Sequence, residues 1–151
     1  MVEQKPSITI FVDNDSCPVK EEIIKVATRY QSKVVFVGNQ GMRPIRLPGI
    51  SQIVVSAAFD AADDRIFSDA NSGDIVITAD ILLAGRCIGK GCKVLNHNGN
   101  LFTPQNIGSA LAMRELNSYL REAGEIKGNN PSFSKQHRSQ FLQALDLLLC
   151  K

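Results

Sequence analysis

Long apolar runs are missing from this chain, and so are several patterns that announce a cofactor. No stretch of its 151 residues stays apolar for the ~18 positions a membrane-crossing helix needs. The polar N-terminus carries no apolar signal-peptide core. The expectation is a cytoplasmic protein without a membrane partner. No G-x-G-x-x-G follows the first apolar run, which argues against dinucleotide binding. The four cysteines, Cys17, Cys87, Cys92 and Cys150, form no C-x-x-C pair and no zinc-knuckle spacing. They read as reduced, partly buried thiols. The two histidines, His97 in a turn and His137 in a helix, have no partner at metal-ligand spacing and read as structural or solvated. Acid, too, is missing from one long stretch. Between Ile81 and Arg114 there is none, against Arg86, Lys90, Lys93 and Arg114, whereas eleven of the fifteen acids lie in residues 1–80. That asymmetry fits an acidic site beside a surface that tolerates phosphates.

What remains is ordinary for a soluble domain, with 44% apolar and 21% charged residues, so one domain with a sizeable core is expected over 1–151. Residues 7–13 are a buried strand, because an unbroken run of β-formers ends abruptly in acids. Pro18 suits a first helical turn. Through Tyr30, Val19, Ile23, Ile24, Val26, Ala27 and Tyr30 recur at helical spacing, with Lys20, Glu21, Glu22, Lys25 and Arg29 opposite. Residues 34–37 form a second strand. Residues 39–49 hold two prolines, two glycines, Arg43 and Arg46, and read either as a long connection or as a basic flap near the site. Residues 53–55 are a third strand, followed by a helix from about Asp60 to a stop at Asn71-Ser-Gly73. A fourth buried strand ends in Thr78-Ala-Asp80; then come a helix over 81–88, a short strand at 93–95 and a turn at His97-Asn-Gly99. From Pro104 the pattern turns helical, with a break at 124–130 and a final helix capped by Ser134. Alternating strands and helices over about 7–97, with a helical part over about 104–150, predict a three-layer α/β/α sandwich on a mostly parallel sheet.

The acids carry the chemical signal. Asp13 and Asp15 follow the first strand two apart, a spacing that aims both carboxylates at one spot if the strand continues. Asp60, Asp63 and Asp64 share one helix face. Asp80 ends the fourth strand. If strands one and four are neighbours, Asp13 and Asp80 emerge together at the carboxyl edge, where ligands of open α/β sheets bind. Clustered carboxylates repel one another unless a cation compensates, and Mg²⁺ or Mn²⁺ prefers such oxygen ligands. Each acid also has a structural explanation, as a turn residue, a helix cap or a charge at the positive end of a helix. Four acids at one edge make that explanation the weaker one.

The strings Asp13-Asn-Asp-Ser-Cys-Pro-Val-Lys20, Asn39-Gln, Ala58-Phe-Asp-Ala-Ala-Asp-Asp64 and Gly73-Asp-Ile-Val-Ile-Thr-Ala-Asp80 resemble the YaiI/YqxD family, as does the Phe133-Ser to Arg138 stretch. That family is a bacterial group similar to PIN-like nuclease domains. The resemblance covers about residues 8 to 149. It implies a PIN-like fold whose carboxylates hold Mg²⁺ or Mn²⁺, and RNA as the partner. By resemblance Asp13 matches the first-strand acid and Asp80 the acid after the fourth strand. The helix acid between them maps to Asp63 or Asp64, with Asp64 preferred because it lies one turn after Asp60. Asp15 departs from the simplest PIN pattern, as an added ligand or a cap.

The leading expectation is a metal-dependent nuclease in which Asp13, Asp64 and Asp80 are catalytic and, with Asp15 and Asp63, form the pool of metal ligands. Lys20, Arg43, Arg46, Thr78 and Arg114 are the candidate phosphate contacts. Two alternatives stand beside it. One is a non-catalytic RNA- or protein-binding module with an acidic metal pocket. The other is an aspartyl-phosphate phosphatase with Asp13 as nucleophile and Asp15 as acid/base, which would need a strand-end lysine the chain does not offer. Self-association stays open at this level.

Overall fold

Strand β1 (Thr9–Asp13) lies inside the sheet, with β2 (Lys33–Gly38) on one side and β4 (Ile75–Ile77) on the other. Both pairings are parallel, and both bring carboxyl ends to the same edge. The structure is a computed structural model that describes residues 8–14, 18–39, 44–56, 61–109, 111–113 and 135–150. Asp15, Cys17, Arg43, Asp60 and Arg114, the break at 124–130 and the cap Ser134 lie outside those residues.

With β3 (Ile50–Val54), β5 (Lys93–Leu95) and β6 (Leu101–Phe102), the described sheet has six strands in the order β3-β2-β1-β4-β5-β6. All neighbours are parallel except β5 and β6. The chain first winds outward from β1 to β2 and β3, then returns to place β4 on the far side of β1. The winding direction therefore reverses between β1 and β4, the switch point at which open α/β sheets take their ligands.

Helices cover both faces, and period-2 alternation assigns every strand residue to a face. Ile10, Val12, Val34, Phe36, Ile75, Ile77 and Leu95 pack with α1 (Lys20–Tyr30) and α4 (Lys135–Leu149). Phe11, Val37, Val76 and Val94 pack with α2 (Ala61–Asp69) and α3 (Ile81–Lys90). Strands covered on both faces must be apolar throughout, which is why β1 and β4 read as unbroken runs. The expected three-layer α/β architecture is the one found.

Three local expectations are corrected. The third strand spans Ile50–Val54 rather than 53–55, because Ser51 and Gln52 sit on an edge strand that tolerates polar residues. The second helix ends at Asp69, where a turn bonds the Asn71 N–H to Asp74 Oδ2 at 2.9 Å before Gly73 reaches Asp74. Strand β6 was not expected at all; two residues are too few to show a period. Residues 107–109 and 111–113 are helical, in line with the pattern after Pro104. Among the described residues no helix is long and apolar enough to cross a membrane.

Of the 39–49 segment, residues 40–43 lie outside the described residues, and 44–49 show how it reaches β3. The parallel neighbours β2 and β3 require a connection that returns along the whole strand. The Gly49 carbonyl accepts from Val34 N–H at 2.9 Å, at the amino end of β2, and Ile45 N–H reaches Gln52 Oε1 at 3.0 Å. The described part is thus a return path flanking β3.

Candidate metal centre

β1 and β4 run in register, with Val12 opposite Ile77, so Asp13 emerges beside Thr78. Both residues continue the face of Phe11 and Val76, which is the α2/α3 side. The Thr78 hydroxyl, fully buried, donates to Asp13 Oδ2 at 3.2 Å and accepts from the Asp80 N–H at 3.0 Å. Asp13 and Asp80 are therefore joined through one hydroxyl at the switch point. This is the juxtaposition that two strands ending in aspartate predict.

Asp80 is also the N-cap of α3, as the structural explanation required. Its Oδ1 accepts from Leu82 N–H at 2.9 Å and from Leu83 N–H at 3.4 Å, from an extended backbone at φ −81°, ψ 111°. Capping and ligand duties do not exclude one another, because the cap uses Oδ1 and a carboxylate has a second oxygen. The two duties separate by substitution. Asp80→Ala should cost about 1 kcal/mol of stability through the lost cap, a drop of roughly 2–4 °C in the melting temperature. Asp80→Asn, an equally good cap, should melt within a degree or so of the parent while losing the charge. Equal melting losses in both variants would refute the capping account.

The helix acids part company. Asp64 turns outward, its side chain 66% exposed, and pairs across the helices with Arg86 at 3.0 Å. The Arg86 guanidinium stacks 4.4 Å from the Phe67 ring centre. Lys90 Nζ sits 5.1 Å from the centre of the same Phe67 ring and donates to the Phe67 and Ser68 carbonyls, satisfying the end of α2. Asp63 is half-buried and close enough to Cys87 for its charge to act on that thiol. Burial above all pushes Cys87 up to about 12, with Cys92 and Asp63 adding to it, so Cys87 is an inert core thiol.

Among the described residues no three His, Cys, Asp or Glu side chains come together in a way that could hold one ion. The expected trio of Asp13, Asp64 and Asp80 is thus not assembled; Thr78 links the Asp13 carboxylate to the backbone N–H of Asp80, and Arg86 takes Asp64. Of the candidate phosphate contacts, Thr78 is fully buried and holds Asp13 and the Asp80 N–H instead of standing open to a phosphate, and Lys20 opens α1 at the same edge. Arg46 is exposed on the return path that ends at the amino edge, three residues before Gly49, and is not brought to the site. Asp15, Arg43 and Arg114 lie outside the described residues. His97 is buried in the turn after β5, and burial holds its pKa down, so it is neutral near pH 7. His137 is half-buried on α4.

One pair escaped the sequence reading. Glu22, expected on the solvent face of α1, is buried and receives Arg138 of α4. A signal was present: Glu22 lies three residues after Val19 and four before Val26, inside the apolar stripe. Its partner is 116 residues away, which no helical period can show.

The fold and this edge define a doubly wound α/β protein with a polar, acidic switch-point site. The family profile described as "Uncharacterized BCR, YaiI/YqxD family" matches residues 11–151. A UPF0178 protein of Agrobacterium fabrum is 53% identical over 146 residues, covering 97% of this chain and 94% of its own. A UPF0178 protein of Rhizobium meliloti is 52% identical over 139 residues, covering 92% and 95%. One from Mesorhizobium japonicum is 53% identical over 144 residues, covering 95% and 93%. The chain belongs to the YaiI/YqxD family. No solved structure matches it significantly.

Proposed function

We propose that this protein is a divalent-metal-dependent phosphodiesterase that hydrolyses RNA in the bacterial cytoplasm. The observation that carries the reading is the Asp13–Thr78–Asp80 arrangement at the switch point. Its donors are all oxygen, and Mg²⁺ is commonly held by one or two carboxylates while keeping several waters. Asp13 and Asp80 would hold the ion, and Asp15, Asp63 and Asp64 are the further candidate ligands. Bound there, such an ion supplies activation of water and neutralisation of charge at phosphorus.

The chain's own groups prepare that chemistry. Thr78 fixes the orientation of the Asp13 carboxylate and ties it to the start of α3. Lys20 stands at the start of α1, and the helices that follow β1, β3 and β4 all begin at this edge, so their positive ends face a bound phosphate. The likeness to PIN-like nuclease domains belongs to the same proposal.

That no three metal-ligating side chains come together among the described residues supports a second reading, a non-catalytic RNA-binding module with an acidic pocket. A single assay separates them. The purified chain, incubated with a 5′-labelled RNA, should cut it in Mn²⁺, stop in EDTA and resume when Mn²⁺ is restored. RNA binding in EDTA without turnover in any divalent ion would select the binding module.

A further inference from the structure

Helices α1 and α4 lie side by side and run the same way. Glu22 meets Arg138 near the start of each, and Arg29 and Tyr30 meet Asp146 near the end, at 3.1 and 2.8 Å. Because α1 leaves the carboxyl edge of the sheet, α4 begins there too. Arg138 therefore stands at the same edge as Asp13 and Asp80, from the opposite face.

The Glu22–Arg138 pair is uneven. Glu22 is 8% exposed, its Oε1 engages Arg138, and its Oε2 is buried with no hydrogen-bond partner among the described residues. The Arg138 side chain is 44% exposed. As a clasp between helices this is poor design, because a buried carboxylate with an unmet oxygen costs stability that an apolar pair would not. The clasp is also redundant: Phe141 and Leu145 already bury α4 against α1, and Asp146 ties the far end. What the buried carboxylate does achieve is orientation. It holds a rigid, planar guanidinium, whose five N–H donors can serve several acceptors at once, at the carboxyl edge of the sheet.

We propose that Arg138, positioned by the buried Glu22, binds an RNA backbone phosphate next to the one taken at Asp13 and Asp80. This assignment rests on the reading of the edge as an RNA site. Arg138 is suited to the task by charge and by its planar fork, and the positive end of α4 adds to the pull. Glu22 touches no substrate; its role is to keep the fork in place.

The test is equilibrium binding of a fluorescein-labelled single-stranded RNA in EDTA, over a series of KCl concentrations, with melting temperatures recorded for each variant. Arg138→Gln should weaken binding about tenfold and reduce the salt slope by about 0.7, the share of one phosphate on a single strand. Glu22→Gln should weaken binding less and leave the slope alone, since the charge survives and only its orientation loosens. Arg138→Lys should recover the slope but not the full affinity. Arg29→Gln, at the far end of the same helix pair, should leave binding unchanged whatever it does to the melting temperature. The assignment is overturned if wild type fails to bind, if Arg138→Gln binds like wild type, or if binding in Arg138→Gln and Arg29→Gln falls in step with melting. Wild type that binds through Arg138 but never cuts in Mn²⁺ would overturn hydrolysis alone.

Discussion

Asp13→Asn is expected to abolish Mn²⁺-dependent RNA cleavage and to weaken Mn²⁺ binding, measured by calorimetry, by more than the 10–100-fold typical of losing a group behind a ligand. Its melting temperature should stay close to the parent's. Asparagine keeps a carbonyl oxygen that can accept from the Thr78 hydroxyl, so the link from β1 to β4 and on to Asp80 survives. What disappears is a unit of negative charge at the switch point. The variant therefore separates electrostatics from architecture, which an alanine would not. Cleavage by Asp13→Asn at the wild-type rate would mean that the activity resides elsewhere or comes from a contaminant.

Gly99→Ala is the substitution with the largest expected cost to folding. Gly99 has φ +88°, and a Cβ there would lie 2.6 Å from the Gln140 carbonyl carbon, 2.7 Å from its oxygen and 2.8 Å from the Phe141 nitrogen. Those atoms are helix backbone and cannot swing aside. α4 cannot retreat as a body either, because Phe141 and Leu145 are buried in the core against α1 and the sheet. Left-handed backbone costs an ordinary residue about 1–2 kcal/mol, and overpacking about 1–3 more. The sum is roughly 2–5 kcal/mol, or a fall of about 4–20 °C in a thermal melt at 2–4 °C per kcal/mol. A melting temperature within a degree or two of wild type would show that the turn and α4 are not in contact.

The contrast between these two residues explains what could be read in advance. Asp13 and Asp80 were legible because Asp13 ends, and Asp80 closely follows, a strand buried on both faces, and such a strand announces itself as an apolar run with an abrupt polar stop. Their meeting needed only that β1 and β4 be neighbours, which alternating strands and helices make an ordinary outcome. The same one-dimensional reasoning fails wherever a contact joins two elements by packing. Spacing within a helix put Asp60, Asp63 and Asp64 on one face, yet only the docking of α2 on α3 delivers Arg86 to Asp64. Arg46 was placed near the site for its charge, whereas the parallel order of β2 and β3 forces its loop back toward the other edge. Glu22 was assigned to solvent because it is charged, although its position in the helical stripe put it inside.

The Thr78 hydroxyl carries a further consequence. Its single proton is committed to Asp13, its oxygen to the Asp80 N–H, and the residue is wholly shielded from solvent. A hydroxyl proton so shielded should exchange with water more slowly than one on the surface, and a resonance of its own in a proton NMR spectrum is the expected result. Its chemical shift follows the electron density on the Asp13 carboxylate. A diamagnetic Mg²⁺ bound at Asp13 would draw on that density and move the line, so a titration followed at this proton would report on the proposed metal centre from inside the protein.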